Sequence, residues 1–187
     1  MKKKITLPIQ DEVISTLEAG DEVLLTGILY TGRDAAHKRM VETIKDNKPL
    51  PIDLRNQTIY YVGPCPAKPG EIIGSCGPTT SGRMDAYTPI ILEQGLKGMI
   101  GKGERNKAVI DAIIKNKAVY FTAIGGAGAL LADRVKKAEV IAYEDLGAEA
   151  IYKLYVEDFP AVVTIDAKGN NLYDTQKEKY KKILNQA

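Results

Sequence analysis

The stretch GMIGKGERNKAVIDAIIKNKAVYFTAI, residues 98 to 124, indicates the fold of this chain. Residues 98–100 predict a strand, residues 104–115 predict a helix, and residues 118–124 predict a second strand. Parallel strands need a crossover connection of about this length, which is usually a helix. The stretch therefore predicts an α/β fold.

The alternation of strand and helix extends in both directions from this stretch. Residue patterns predict further strands at 4–8, 22–29, 58–62, 71–75 and 138–142, and further helices at 84–94 and 129–135. A helix also follows the second strand, where apolar residues recur at helical spacing: Ala36, Met40, Val41 and Ile44. Most of the sheet is therefore expected to be parallel.

The C-terminal part departs from this alternation. Residues 150–156 and 161–166 predict two strands without a helix between them, and residues 168–171 predict a turn before a last helix that begins at Asp174. We therefore expect an antiparallel addition to the sheet.

The composition is that of one ordinary globular domain, which we expect over residues 1–187, since 44% of the residues are apolar and 27% are charged. The net charge of +2 comes with lysine runs at both chain ends, which indicate solvated termini rather than a nucleic-acid surface. The longest apolar stretch, residues 118–132, is interrupted by glycines and too short to span a membrane. Because no signal-peptide pattern opens the chain, we expect a cytoplasmic location.

Cys65 and Cys76 are the two cysteines of the chain, and no histidine cluster accompanies them. Iron-sulfur clusters are generally held by more cysteines than this. The sequence therefore predicts that this chain alone binds no metal, and that both thiols are free.

Glycine-flanked cations recur at the ends of predicted strands. They are Arg33 in the segment 31–34, Arg83 in the segment 77–83, and Lys102 in the segment 97–103. In a sheet with crossover helices such loops gather at the carboxyl ends of the strands, where ligands bind. The spacing therefore predicts a site for a small anion.

The segment 77–83 carries the most information about this site. Thr79, Thr80 and Ser81 supply hydroxyl donors, and Arg83 supplies a planar fork that matches a carboxylate. The alternative interpretation is the capped start of a helix, with Arg83 in a surface ion pair.

The neighbouring residues leave alternatives open as well. Arg33 and Lys102 are also compatible with simple turns that leave a strand. Asp34 suits the first turn of a helix, and His37 lies one turn beyond Arg33, either on its face or in the core. Asp85 is predicted to cap or orient Arg83 rather than to act as a base.

A dinucleotide site is not predicted, although Gly126 and Gly128 begin the required glycine pattern. Leu131 stands where the pattern needs a small residue, and its bulk conflicts with close packing of helix and strand.

Five ordered motifs give the chain a family resemblance. They are TGRDAAHKR at residues 31–39, GPCP at 63–66, GPTTSGRMD at 77–85, KGMIGKG at 97–103 and VEDFP at 156–160. In this order they resemble the β subunit of class I iron-sulfur fumarases and tartrate dehydratases, which is also the C-terminal domain of the single-chain class I fumarases.

The resemblance implies a swivelling β/β/α three-layer domain with parallel and antiparallel strands. It also implies a partner α subunit that carries a [4Fe-4S] cluster, with an active site between the subunits of an α2β2 hetero-oligomer. The implied reaction is the reversible hydration of fumarate to malate, with tartrate and mesaconate as alternative substrates.

Site residues follow from the same resemblance. Arg33, Arg83 and Lys102 match the substrate-binding positions of the family, and Thr79 matches the position suspected of proton transfer. A hydroxyl is a weak base unless a neighbour activates it, so Thr79 has the alternative role of a hydrogen-bond donor to substrate. A different class of function also stays open, namely a stand-alone dicarboxylate-binding module without catalysis.

Overall fold

Seven strands pair into a single mixed sheet in the computed structural model, which describes residues 2–184. The strands are β1 (Lys3–Leu7), β2 (Glu22–Thr31), β3 (Thr58–Tyr60), β4 (Gly98–Gly101), β5 (Val119–Thr122), β6 (Val135–Ala142) and β7 (Ile151–Ile165). The helices are α1 (Asp11–Ile14), α2 (Asp34–Lys45), α3 (Thr88–Leu92), α4 (Lys107–Asn116), α5 (Gly128–Ala132) and α6 (Leu172–Leu184).

The pairing of the strands confirms the mixed character of the fold. Strands β1 to β5 pair in parallel with their sequence neighbours, as the helical connections predict. Strand β7 is antiparallel to β2, β5 and β6, as predicted for the C-terminal part. The pairings β2–β3–β4–β5–β7–β2 therefore form a closed path.

Two apolar clusters lie on opposite faces of the short central strands, because successive side chains of a strand point to opposite sides. Tyr60 and Phe121 belong to an inner cluster that β1, β2 and β7 also enclose. Ile59, Met99 and Tyr120 belong to an outer cluster that packs against α2, α3 and α4. Each of these five residues is at most 1% exposed, and such burial contributes about 1.5–3 kcal/mol per large side chain. This layered arrangement is the expected β/β/α order.

The predicted strand at residues 71–75 is wrong, since this segment is a loop. The amide of Cys65 donates to the carbonyl of Ser75, and Gly74 packs closely against the carbonyls of Cys65 and Pro66. The chain folds back on itself here instead of joining the sheet.

The predicted helix at residues 84–94 is interrupted. A 3-10 turn spans Ser81–Met84, and α3 begins only at Thr88, with Pro89 in its first turn. A proline fits there because the amide it lacks would have no helical partner.

The predicted strands at 150–156 and 161–166 form the single strand β7, with an irregularity at Asp158, whose φ is 48°. Strand β6 was expected within the parallel part of the sheet, but it pairs with β7 in antiparallel fashion. The connection between them contains only a short 3-10 turn, Glu144–Glu149, which lets the chain return directly along the neighbouring strand.

None of the helices within residues 2–184 is long and apolar enough to cross a membrane. The expected domain of residues 1–187 includes positions 1 and 185–187, which lie outside the described residues, and its extent stays a prediction.

Candidate functional site

The segment that carries Arg83 is hydrogen-bonded to the loops that follow β3 and β4. The amide of Thr79 donates to the carbonyl of Tyr61 at 2.7 Å, and the amide of Lys102 donates to the carbonyl of Thr79 at 3.3 Å. The amide of Ser81 then donates back to the carbonyl of Lys102 at 2.9 Å. These bonds continue the parallel ladder beyond the strand ends, so the structure brings Thr79, Thr80 and Lys102 together.

Two glycines permit this close approach. A side chain at Gly101 would collide with the hydroxyl of Ser81, and one at Gly63 would lie 2.8 Å from Nη1 of Arg33. The glycine of each loop therefore makes room for a polar side chain of the neighbouring segment.

Asp34 holds Arg83 by one side of its guanidinium. Nε of Arg83 donates to Oδ1 of Asp34 at 2.9 Å, and the Arg83 side chain is 51% exposed. Its two terminal nitrogens bond to nothing else among residues 2–184. This end of the fork is therefore available to a carboxylate.

Arg33 lies on the other side of Asp34. Its Nε is 4.0 Å from Oδ2 of Asp34, and its Nη2 is 3.6 Å from Oε1 of Glu149. Within the described part of the chain, Nε of Arg33 and Oδ2 of Asp34 are buried without hydrogen-bond partners. Because unpaired buried polar atoms are costly, a polar ligand that reaches them gains free energy.

Glu149 is a site residue that the sequence interpretation missed. Its Oε2 accepts a hydrogen bond of 2.9 Å from the amide of Ala35, in the first turn of α2. A carboxylate suits the positive end of a helix dipole, and here it also neutralises Arg33. No local pattern could have indicated this contact, because 114 residues separate the two partners.

His37 lies in the core and supports Arg33 through the backbone. Its Nδ1 is 2.9 Å from the carbonyl oxygen of Arg33, and its ring meets Tyr61 edge-on at 5.2 Å. Burial lowers the pKa of His37 to about 4. The imidazole is therefore neutral at pH 7 and donates through Nδ1.

The Lys102 side chain is exposed and runs past Gly125, whose added Cβ would lie 3.7 Å from Cδ of Lys102. The ammonium group makes no ion pair among the described residues. Thr79 is half-buried and Thr80 is exposed beside it. Lys102 and both hydroxyl residues are therefore accessible at this edge of the sheet.

The structure pairs Asp85 with Arg105 instead of Arg83. Nε of Arg105 donates to Oδ1 of Asp85 at 2.7 Å, and the Arg105 side chain is fully buried. The sequence interpretation did not single out Arg105, because its partner is known only once the loops are in place.

The two cysteines do not form a ligand set for an iron-sulfur cluster. Cys65 is exposed and Cys76 is buried, and burial together with the nearby Cys65 raises the pKa of Cys76 to about 12. Residues 2–184 contain no group of three or more His, Cys, Asp or Glu side chains placed to hold a metal ion. The residues present here therefore do not fit such a cluster.

Comparisons with known proteins support the resemblance. The family described as Fumarase C-terminus matches residues 1–176. The anaerobic class I fumarate hydratase of Escherichia coli (strain K12) is 41% identical over 162 residues, which are 86% of this chain and 30% of that protein. Fumarate hydratase 2 of Leishmania major is also 41% identical over 162 residues, or 86% of this chain and 28% of that protein.

A third relative has about the length of this chain. The putative L(+)-tartrate dehydratase subunit beta of Methanocaldococcus jannaschii is 36% identical over 179 residues, which are 92% of each chain. The chain thus spans about 30% of the two fumarate hydratases and nearly all of the β subunit.

Proposed function

The chain belongs to the Fumarase C-terminus family, and from this premise we propose that it is the β subunit of a hydro-lyase that hydrates fumarate reversibly to malate. In this role it supplies cations for a dicarboxylate to a site that a second subunit completes. The proposal rests on family membership and on the similarity in length to a tartrate dehydratase β subunit.

The observation that carries the role of this chain is the guanidinium of Arg83. Its Nε is fixed by Asp34, while its terminal nitrogens face no protein partner among residues 2–184. This geometry suits end-on, bidentate binding of a carboxylate. The backbone of Lys102 bonds Thr79 and Ser81 of the segment that carries Arg83, and its ammonium group adds a second positive charge.

Hydration of a dicarboxylate requires that both carboxylates be held while a C–H bond is made or broken. We assign Arg83 and Lys102 to one carboxylate, with Arg33 on the far side of Asp34 as a further cation. Thr79 and Thr80 contribute hydroxyls at the same edge. We propose that Thr79 takes part in proton transfer, activated by a group outside this chain, since no described acid or imidazole is hydrogen-bonded to it.

The partner is proposed to be an α subunit that carries a [4Fe-4S] cluster, in an α2β2 complex. The cysteines of this chain do not fit the cluster, which agrees with a cluster held by the partner. A cytoplasmic location also stays a prediction.

A tartrate dehydratase β subunit is the second candidate. It is favoured by the match in length, since 92% of the relative from Methanocaldococcus jannaschii is covered. Relative values of kcat/KM for fumarate, tartrate and mesaconate in the purified complex decide between these substrates.

The proposal is tested by anaerobic purification of the tagged chain from its native cells. We expect a brown, oxygen-sensitive complex with a second protein, which turns over fumarate or a related dicarboxylate. A colourless chain that purifies alone and binds fumarate tightly contradicts the proposal and favours a stand-alone binding module.

A further inference from the structure

Arg105 is a fourth arginine near the site, but it lies in the outer apolar cluster and its side chain is 0% exposed. Nε donates to Oδ1 of Asp85 at 2.7 Å, and Nη2 donates to Oγ1 of Thr88 at 2.7 Å. The guanidinium carbon lies 5.3 Å from the ring centre of Tyr61 and 5.0 Å from that of Tyr120. We call these five residues the Arg105 cluster.

The acidic side of the cluster fixes the end of the segment that carries Arg83. The second carboxylate oxygen of Asp85 accepts from the amide of Asn106 at 2.8 Å. The hydroxyl of Thr88 donates to the carbonyl of Met84 at 2.9 Å. The residues on the C-terminal side of Arg83 are thus tied to the start of α4 through charged and polar bonds.

The aromatic side of the cluster fixes the other site segments. The carbonyl of Tyr61 accepts the amide of Thr79. The hydroxyl oxygen of Tyr120 lies 2.9 Å from Oγ of Ser81 and 2.8 Å from the carbonyl oxygen of Gly103. Tyr61 and Tyr120, whose rings flank Arg105, are therefore both hydrogen-bonded to the segment that carries Arg83. Tyr120 is also hydrogen-bonded to the loop after β4.

We propose that Arg105 is a positioning residue, which sets the spacing of Arg83 and Lys102 for a dicarboxylate through Asp85 and the two tyrosines. This inference rests on the proposed function of the site. Replacement of a buried ion pair by well-packed apolar side chains is often neutral or stabilising, so stability alone is a weak reason for this pair. The guanidinium of Arg105 instead donates to Asp85 and to Thr88 in different directions at once, which a lysine cannot reproduce.

The test measures KM and kcat for fumarate in the complex of this chain with its partner, for the wild type, Arg105→Lys and Tyr120→Phe. Arg105→Lys keeps the charge and removes the fork, whereas Tyr120→Phe removes one hydroxyl and leaves no buried charge unpaired. We expect KM to rise about tenfold for Arg105→Lys and about threefold for Tyr120→Phe, with kcat changed less than about threefold.

Arg55→Lys is the matched control. Arg55 also binds an aspartate, Asp53, but its side chain is 79% exposed and it precedes β3, at the opposite edge of the sheet from the site. We expect its KM to equal that of the wild type.

A merely structural role gives a different result. It lowers the thermal unfolding temperature and the amount of active complex, and therefore the apparent kcat, while KM stays unchanged. Unchanged KM in Tyr120→Phe and in every Arg105→Lys complex that assembles overturns the proposal, and Tyr120→Phe alone decides if Arg105→Lys does not fold.

Failure of the proposed function is distinguishable from failure of this inference. If the wild-type complex turns over neither fumarate nor tartrate, the proposed reaction is wrong, and malate affinity becomes the measurement. A malate affinity weakened in both variants supports the positioning role, and equal affinities in the wild type and both variants overturn it.

Discussion

The exposed cations at the sheet edge and the buried cation behind them use similar side chains in opposite ways. Arg83 has one side of its guanidinium fixed by Asp34 and keeps its terminal nitrogens open among the described residues. Arg105 has Nε, Nη1 and Nη2 all directed at protein groups and is out of contact with solvent. The difference matches the proposed roles, in which the open donors of Arg83 bind a carboxylate and the satisfied donors of Arg105 hold the framework that presents them.

The largest effect is expected on stability, when the buried ion pair between Arg105 and Asp85 is removed. Asp85→Ala leaves the Arg105 charge buried without its partner, which costs about 3–5 kcal/mol of unfolding free energy. Chemical denaturation of the variant and wild type measures this loss. A change below about 1 kcal/mol shows that the pair is not a stabilising contact.

The second prediction concerns the exposed cation, Arg83. Arg83→Ala removes a charged donor from the substrate carboxylate and is expected to lower kcat/KM of the complex by about a hundredfold or more. The unfolding temperature is expected to stay close to the wild-type value, because Arg83 is half exposed. Arg55→Ala serves as the control, and equal kcat/KM in the two variants removes Arg83 from the site.

The third prediction concerns His37, a buried group that is neutral where Arg105 is charged. Because burial lowers its pKa from 6.5 to about 4, the unfolded chain binds a proton between these pH values that the folded chain does not. Stability is therefore complete above pH 6.5 and falls toward pH 4, by up to about 1.4 kcal/mol per pH unit from this residue. His37→Gln is expected to reduce that slope in denaturation curves measured from pH 7 to 4, and an unchanged slope contradicts the assignment.

The smallest effect is expected on KM, from a change at Asp34, which links Arg83 and Arg33. Asp34→Asn keeps the shape and removes the charge, so Arg83 is held less firmly, and KM for the dicarboxylate is expected to rise about fivefold. Asp53→Asn removes the aspartate from another Arg–Asp pair, that of the exposed Arg55, and is the control. If both variants have wild-type KM values, Asp34 does not orient Arg83.

Local patterns were enough to predict where the cations of the proposed site lie. Glycine next to a cation after a strand places Arg33 and Lys102 at the strand ends in the sequence, and parallel pairing then brings these ends to one edge. The buried half depends on contacts between distant segments. Arg105 meets Asp85 across 20 residues and Glu149 meets Ala35 across 114, and neither pairing has a local signal.

The errors in the predicted fold have the same origin. Segment 71–75 contains the β-branched pair Ile72 and Ile73, but the preceding proline-rich loop folds back onto it. Strand β6 follows five helix-connected strands, yet its direction in the sheet is set by the short connection to β7. Periodicity predicts the type of an element, whereas its partner depends on the rest of the chain.

In the proposed function this chain supplies the dicarboxylate cations to a site that a partner completes. Fumarate hydration is therefore measured for the purified chain, for the purified partner and for their mixture. We expect turnover only in the mixture, and we expect a mixture containing the Arg83→Ala chain to be impaired by about a hundredfold. Full turnover by the partner alone, or an unimpaired mixture with Arg83→Ala, overturns this role.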